Sequence, residues 1–286
     1  MEEPKSVMSS LPAKKRFDWS NLRLRVLSAA VMAPAAILAV WAGGYPLLGV
    51  LLVVICLLVR EWALMSTPKA PIRAGVTMAV AIFISAFVAE AHHIIIALLL
   101  LCVSVAVVAG LAALRRVGAR PADEALGVIY LGGPCVAMIW LRTGDLGLAW
   151  TLALLLTAWS ADIAAYVAGN SIGGPKLWPR ISPNKTWSGF FTGLAAAMAV
   201  AEAVALCLGR QGGPVVAWAW LAGLIVGLAT MAGDLCESMI KRRFGVKDSG
   251  SIIPGHGGLL DRVDGLMFAT VAMAAVRLAG RYGAFS

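Results

Sequence analysis

Charge is scarce in this chain. Asp, Glu, Lys and Arg make up 14% of its 286 residues, where a soluble globular domain carries about 25%. With 60% of the residues hydrophobic and a mean hydropathy of +0.85, that shortage excludes a water-soluble globule and leaves an all-α, polytopic membrane protein. Cysteine patterning is missing too: Cys56, Cys102, Cys135, Cys207 and Cys236 are scattered, mostly in apolar runs, without a C-x-x-C pair. They read as small core residues with neither redox nor metal meaning. Of three histidines, His92 and His93 stand beside Glu90 in a short turn. Two adjacent His cannot share a helix face, so this is an exposed polar turn and not a metal site. There is no tandem repeat, no loop long enough for a soluble domain, and no small-residue cleavage site in the polar leader over 1–21.

What is present is a series of apolar runs, at about 24–42, 46–60, 74–90, 94–114, 125–141, 146–168, 188–208, 215–237 and 264–280. A span needs about 20 residues, so the second is short, and the runs predict about nine transmembrane helices. Orientation follows from the basic residues. With the N-terminus in the cytosol, all of the 24 Lys and Arg except Arg142, Arg210, Arg277 and Arg281 fall on the cytosolic side. An even number of helices would invert the second half and destroy that asymmetry. The formal net charge of +9 therefore belongs to topology and anionic headgroups, and nucleic acid is discounted as a partner. Pro34 and Pro134 lie inside apolar runs, where proline kinks a helix, and Gly132, Gly133 and Pro134 together are able to break the fifth. Most Trp residues, Trp62 beside Arg60 and Glu61 among them, read as an interfacial aromatic belt.

One polar island interrupts this pattern. Residues 238–264 read SMIKRRFGVKDSGSIIPGHGGLLDRVD, where Lys241, Arg242, Arg243, Lys247 and Arg262 face Asp248, Asp261 and Asp264 with glycines between. Carboxylates hold a hard divalent ion, Lys and Arg neutralise phosphate oxygens, and glycine admits backbone N–H groups to a ligand. A solvated loop obeying the positive-inside rule explains the cations but not HGGLLDRVD. The pattern S-x-x-K-R-x4-K-D-x-G-x-x-I-P-x-H-G-G-x-x-D-R-x-D resembles the signature of the phosphatidate cytidylyltransferases, the CDP-diacylglycerol synthases. The resemblance implies a membrane enzyme that joins CTP and phosphatidic acid into CDP-diacylglycerol, releases pyrophosphate and uses Mg2+, as one ion or a pair.

A second polar segment, WSADIAAYVAGNSIGGPKLWPRISPNKTWSG over 159–189, begins at the cytosolic end of the sixth run. Asp162 lies there inside the membrane boundary, where a carboxylate needs a cation, a metal or a water-filled cavity. Gly169 to Gly174 has Walker spacing, but Pro175 follows where a P-loop requires Lys. The segment resembles the W-x-x-D-x-x-A-Y and S-P-x-K-T-x-x-G region of the same family and departs at Asn184 and Ser188, where Lys and Glu are expected. In the eighth run, Asp234, Ser238 and Lys241 share one helical face. The resemblance is strongest over 155–265, within a single transmembrane catalytic domain over 22–286.

Together these readings assign Asp234, Asp261, Asp264 and Asp162 to metal. Lys241, Arg242, Lys247 and Arg262 are the catalytic cations that neutralise charge on the triphosphate and the lipid phosphate. Ser182, Lys185, Thr186, Ser238, Gly257 and Gly258 are assigned to substrate binding. His256 either donates to the leaving pyrophosphate or braces the loop. The expected setting is a bacterial inner membrane with the site facing the cytoplasm, and a homodimer is compatible with it. A reporter fused after Ser286 should register the non-cytosolic side and one at Gly118 the cytosol. The same compartment for both would refute nine spans.

Overall fold

The computed structural model describes residues 34–115, 120–179, 181–209, 218–253 and 257–281. Among them the apolar runs are helices: α1 over 34–42, α2 Gly44–Ser66, α3 Pro71–Glu90, α4 Ile94–Arg115, α5 Pro121–Thr143, α6 Gly147–Ser171, α7 Trp187–Gly209, α8 Ala219–Arg243 and α9 Leu260–Arg281. The eight helices α2 to α9 are each long and apolar enough to cross a membrane, so the all-α polytopic class holds. Hydrocarbon offers no hydrogen-bond partner to a backbone, which leaves the helix as the form that satisfies each apolar run internally. Pro71 and Pro121 open α3 and α5 at the first turn, where a missing N–H costs nothing. The regular exception among the described residues is a hairpin of β1 (Lys176–Trp178) and β2 (Ser182–Thr186), antiparallel, with Lys176 opposite Thr186.

Several boundaries differ from the sequence reading, each for a physical reason. α2 does not stop at Arg60 but runs on to Ser66, because Glu61 and Trp62 find partners inside the protein. Trp62 is fully buried, donates to the Asp123 carbonyl at 2.9 Å, and packs 5.1 Å from the Tyr130 ring and 5.8 Å from Phe244. It is a core residue and not part of an interfacial belt. The polar island shortens from both sides, since α8 continues through Lys241, Arg242 and Arg243 while α9 already starts at Leu260. α5 passes through Pro134 as one helix, so the Gly-Gly-Pro sequence does not break it.

Consecutive helices pack side by side from α2 to α5 and from α6 to α9, and α5 joins the two groups through α9. The larger core surrounds Trp62, Met78, Ile82, Leu131 and Ile139 and reaches Leu259, Leu260 and Met267. Between helices the contacts are close. A Cβ on Gly233 of α8 would lie 2.5 Å from the Asp264 carbonyl oxygen of α9, so this glycine lets the two backbones meet. The outward face is apolar: α4 buries only Ala97, Leu101, Val108 and Ala112, while Ile95, Leu99, Val103 and Val107 stand exposed, as lipid contact requires.

Contacts between helix ends show that the helices alternate in direction. At one end α2 meets the start of α9, and α8 meets the start of α5. At the other, Arg277 near the end of α9 donates to the carbonyls of Trp140 at 3.1 Å, Leu141 at 2.7 Å and Asp145 at 2.8 Å, with its guanidinium 5.0 Å from the Trp140 ring. Arg142 likewise donates to the carbonyls of Val40 at 2.6 Å and Trp41 at 3.0 Å. These arginines satisfy the carbonyls that helix ends leave without partners. Arg277→Met should therefore destabilise the bundle by about 1–3 kcal/mol, read as a lower unfolding midpoint in detergent. A midpoint equal to the parent's would show that these carbonyls are satisfied without Arg277.

Candidate active site

Acidic and basic side chains collect at the end of the bundle where α2 stops and α9 starts. The centre of one group is Lys241, in the last turn of α8. Its Nζ lies 2.7 Å from Glu237 Oε2, one turn back on the same helix, and 2.6 Å from Asp261 Oδ1 on α9. The other oxygen of Asp261 accepts the backbone N–H groups of Ser249 at 3.2 Å and Gly258 at 3.1 Å. Glu61 of α2 is fully buried and accepts from Leu259 N at 2.9 Å, Leu260 N at 2.8 Å and the Ser249 hydroxyl at 3.3 Å. The turn is built to allow this. Gly257 takes φ +87, and a Cβ on Gly258 would meet Ser249 Oγ at 1.9 Å.

The second group joins α6, α8 and α9 through the hairpin. Lys185 of β2 forms an ion pair with Asp234 of α8. Asp162 of α6 interacts electrostatically with Asp234 and Lys185, and Asp264 of α9 with Asp234, Asp162 and Lys185. Three carboxylates from three helices thus lie within electrostatic reach of one ammonium, and one of them, Asp234, is in contact with it. The hairpin is held in place by Thr186, whose buried hydroxyl accepts from Gly189 N at 3.2 Å and lies 3.0 Å from Ser188 Oγ. Thr186 therefore caps α7. Close by, Arg115 meets Glu124 at 3.0 Å, Thr67 donates to Glu124 at 3.3 Å and Arg243 pairs with Asp123, which ties α2, α4, α5 and α8 together at this end.

The sequence-derived residues divide accordingly. Asp162, Asp234, Asp264 and Lys185 come together, as do Lys241 and Asp261. Ser238 is half-buried on α8, Ser182 half-buried where β2 begins, and Arg242, Lys247 and Arg262 are exposed. The row Asp234, Ser238, Lys241 does not act as one set, because Asp234 turns to Lys185 and Lys241 to Glu237 and Asp261. His256 lies outside the described residues. Sequence reasoning missed Glu61 and Glu237. Glu237 had a signal in its i, i+4 spacing to Lys241, and Glu61 in being an acid within a run of apolar residues.

The donor chemistry fits Mg2+, although among the described residues no three His, Cys, Asp or Glu side chains are grouped closely enough to form a ligand set of their own. Mg2+ takes hard oxygen donors and is usually held by one or two carboxylates together with substrate phosphates and water, not by an all-protein cage. Glu237 Oε1 adds an acceptor that is buried without a hydrogen-bond partner among the described residues.

The sequence matches the Cytidylyltransferase family over residues 23–279. The chain belongs to that family. Among curated relatives, the phosphatidate cytidylyltransferase of Brucella suis biovar 1 (strain 1330) is 47% identical over 154 residues, which cover 52% of this chain and 54% of that protein. The phosphatidate cytidylyltransferase of Pseudomonas aeruginosa (strain PAO1) is 35% identical over 58% of this chain and 61% of its own length. That of Staphylococcus aureus (strain COL) is 45% identical over 46% and 50%. The matched part of the chain thus spans about half to three-fifths of the length of these relatives.

Chemically, the ammonium and guanidinium groups of this site are able to meet anionic oxygens, and the carboxylates beside them orient the cations. Lys241 also has a structural duty, because without it Glu237 and Asp261 would face each other in a nearly dry site. Lys241→Met alone should cost about 3–5 kcal/mol, and adding Glu237→Gln should restore much of that stability. Thermal unfolding in detergent checks this, and a double variant no more stable than the single would show that the two carboxylates do not oppose each other.

Proposed function

We propose that this protein transfers the cytidylyl group of CTP to phosphatidic acid, giving CDP-diacylglycerol and pyrophosphate. The observation that carries this reading is the family match over 23–279, in a chain whose Lys–Asp pairs lie in the C-terminal half of α8, toward the start of α9, among helices of membrane length. A lipid phosphate lies toward the ends of such helices. The relatives' name supplies the substrate pair, and the composition of the site supports it.

In the reaction an oxygen of the phosphatidate phosphate attacks the α-phosphorus of CTP. A P–O bond forms to the lipid phosphate as the bond from the α-phosphorus to the bridging oxygen of the leaving pyrophosphate breaks. The nucleophile is already an anion, so the enzyme's task is charge neutralisation and in-line placement more than proton removal. Lys185 and Lys241 each stand on a carboxylate and are held ready for phosphate oxygens. The exposed Arg242, Lys247 and Arg262 receive the triphosphate from water, with Ser182 and Ser238 as hydroxyl donors and Gly257 and Gly258 as open backbone. Asp234, Asp264 and Asp162 are the residues that would hold Mg2+, with Asp261 in the neighbouring group one turn before Asp264 on α9. When bound, the ion offsets negative charge on the triphosphate.

The protein is integral to the membrane. We place it in a bacterial inner membrane with this end in the cytoplasm, where CTP is available, and with the acyl chains entering between helices. The purified protein, given CTP labelled in the α-phosphate and phosphatidate in mixed micelles, should yield a labelled lipid and unlabelled pyrophosphate. Free labelled CDP together with a phosphorylated lipid would instead identify a kinase, and no turnover with phosphatidate would refute the reading.

A further inference from the structure

The buried carboxylate of Glu61 has no place in the chemistry above, yet it touches the loop that carries the site. Three consecutive backbone N–H groups at the entry to α9 are divided between two acids: Gly258 N–H goes to Asp261, while Leu259 and Leu260 N–H go to Glu61. Ser249 is divided in the same way, its N–H donating to Asp261 and its hydroxyl to Glu61. The fit leaves no slack: a Cβ on Gly250 would lie 2.7 Å from Glu61 Oε1. With both backbone donors of Asp261 Oδ2 fixed, Asp261 Oδ1 is left aimed at Lys241 Nζ, 2.6 Å away.

We infer that Glu61 is a positioning residue for the transfer reaction. From α2, in the first half of the chain, it fixes Ser249 and the turn at 258–260, and through them it sets the direction of Asp261 and Lys241. The inference rests on the proposed cytidylyl transfer for its effect on rate, but not for the clamp itself. A fully buried anion meeting the N–H groups at a helix start is stabilised by the helix end as well as by hydrogen bonds. A neutral amide in its place would turn an N–H group toward one of the backbone N–H groups and break that half of the clamp.

Two variants and a control test this in the full-length protein in detergent. Glu61→Gln should make the amides of residues 249–261 exchange faster with deuterium. It should lower kcat by about 10- to 100-fold while changing KM for CTP much less, because orientation in the transition state is lost and the phosphate-binding cations remain. Ser249→Ala, which removes one of the three donors to Glu61, should produce smaller changes of the same kind and add little when combined with Glu61→Gln. Glu124→Gln, at an equally buried acid that contacts Thr67 and Arg115 and not the loop, should lower stability without either effect. Unchanged exchange at 249–261 in Glu61→Gln would overturn the clamp whatever the reaction is. Unchanged kcat, or an equal loss of kcat in Glu124→Gln, would overturn the positioning role. The exchange measurement uses no substrate, so failure of the functional reading, seen as absence of labelled lipid with the parent protein, is distinguished from failure of this one.

Discussion

A carboxylate inside a bundle that faces hydrocarbon cannot rely on water for its hydrogen bonds, so the protein itself must supply donors. Glu61 makes the constraint plain. It is fully buried, and its partners are two backbone N–H groups and one hydroxyl from residues far along the chain. Glu124, with 2% of its side chain exposed, is held by Arg115, and Glu237, equally buried, by Lys241. Removing one member of such a set leaves a desolvated charge, which costs more than the intact pair contributes. These groups consequently determine how the helix ends are arranged, and much of the rest of the structure follows from their demands.

The length of α2 is one such consequence. Hydropathy alone ends the helix near Arg60, and the backbone continues to Ser66 because Glu61 and Trp62 are used inside the molecule. The same need draws the start of α9 against α2, which brings Leu259 and Leu260 into the large core. Burial of these two leucines and hydrogen bonding to Glu61 act on the same turn. Apolar contact supplies the driving force, and the carboxylate selects one orientation of the turn from the several that burial alone would allow.

The fold was largely legible in the sequence because membrane spans announce themselves by composition over some 20 residues, and eight of the predicted runs coincide with complete helices. The candidate site was legible in part. Asp261 and Lys241 belong to one recognisable pattern, and Asp162 and Lys185 to another. What pairs with what was not legible, since the partners of Lys185 and Glu61 are fixed by helix packing and not by spacing along the chain. Asp234, Ser238 and Lys241 do share a helical stripe, but Lys185 competes for the first of them and Glu237 for the last. Thr186, which the family resemblance assigned to substrate, is also the residue that caps α7, a duty visible only when Gly189 N is found beside its hydroxyl.

The two ends of the bundle use charge differently, and the contrast bears on what each end can do. At the far end, Arg277 and Arg142 are spent on backbone carbonyls, static partners that have no alternative form. At the other end, Lys185 and Lys241 rest on carboxylates, partners that a divalent ion suits equally well. Lys241 faces Glu237 and Asp261, and Lys185 pairs with Asp234 within electrostatic reach of Asp162 and Asp264, so among the described residues each lysine meets more than one acid. Beside these groups Arg242, Lys247 and Arg262 are exposed, together with Asp248. Carboxylates favour a cation, and exposed Lys and Arg favour a polyanion. On the proposed reading, a nucleoside triphosphate carrying its divalent ion would call on both kinds of group at once.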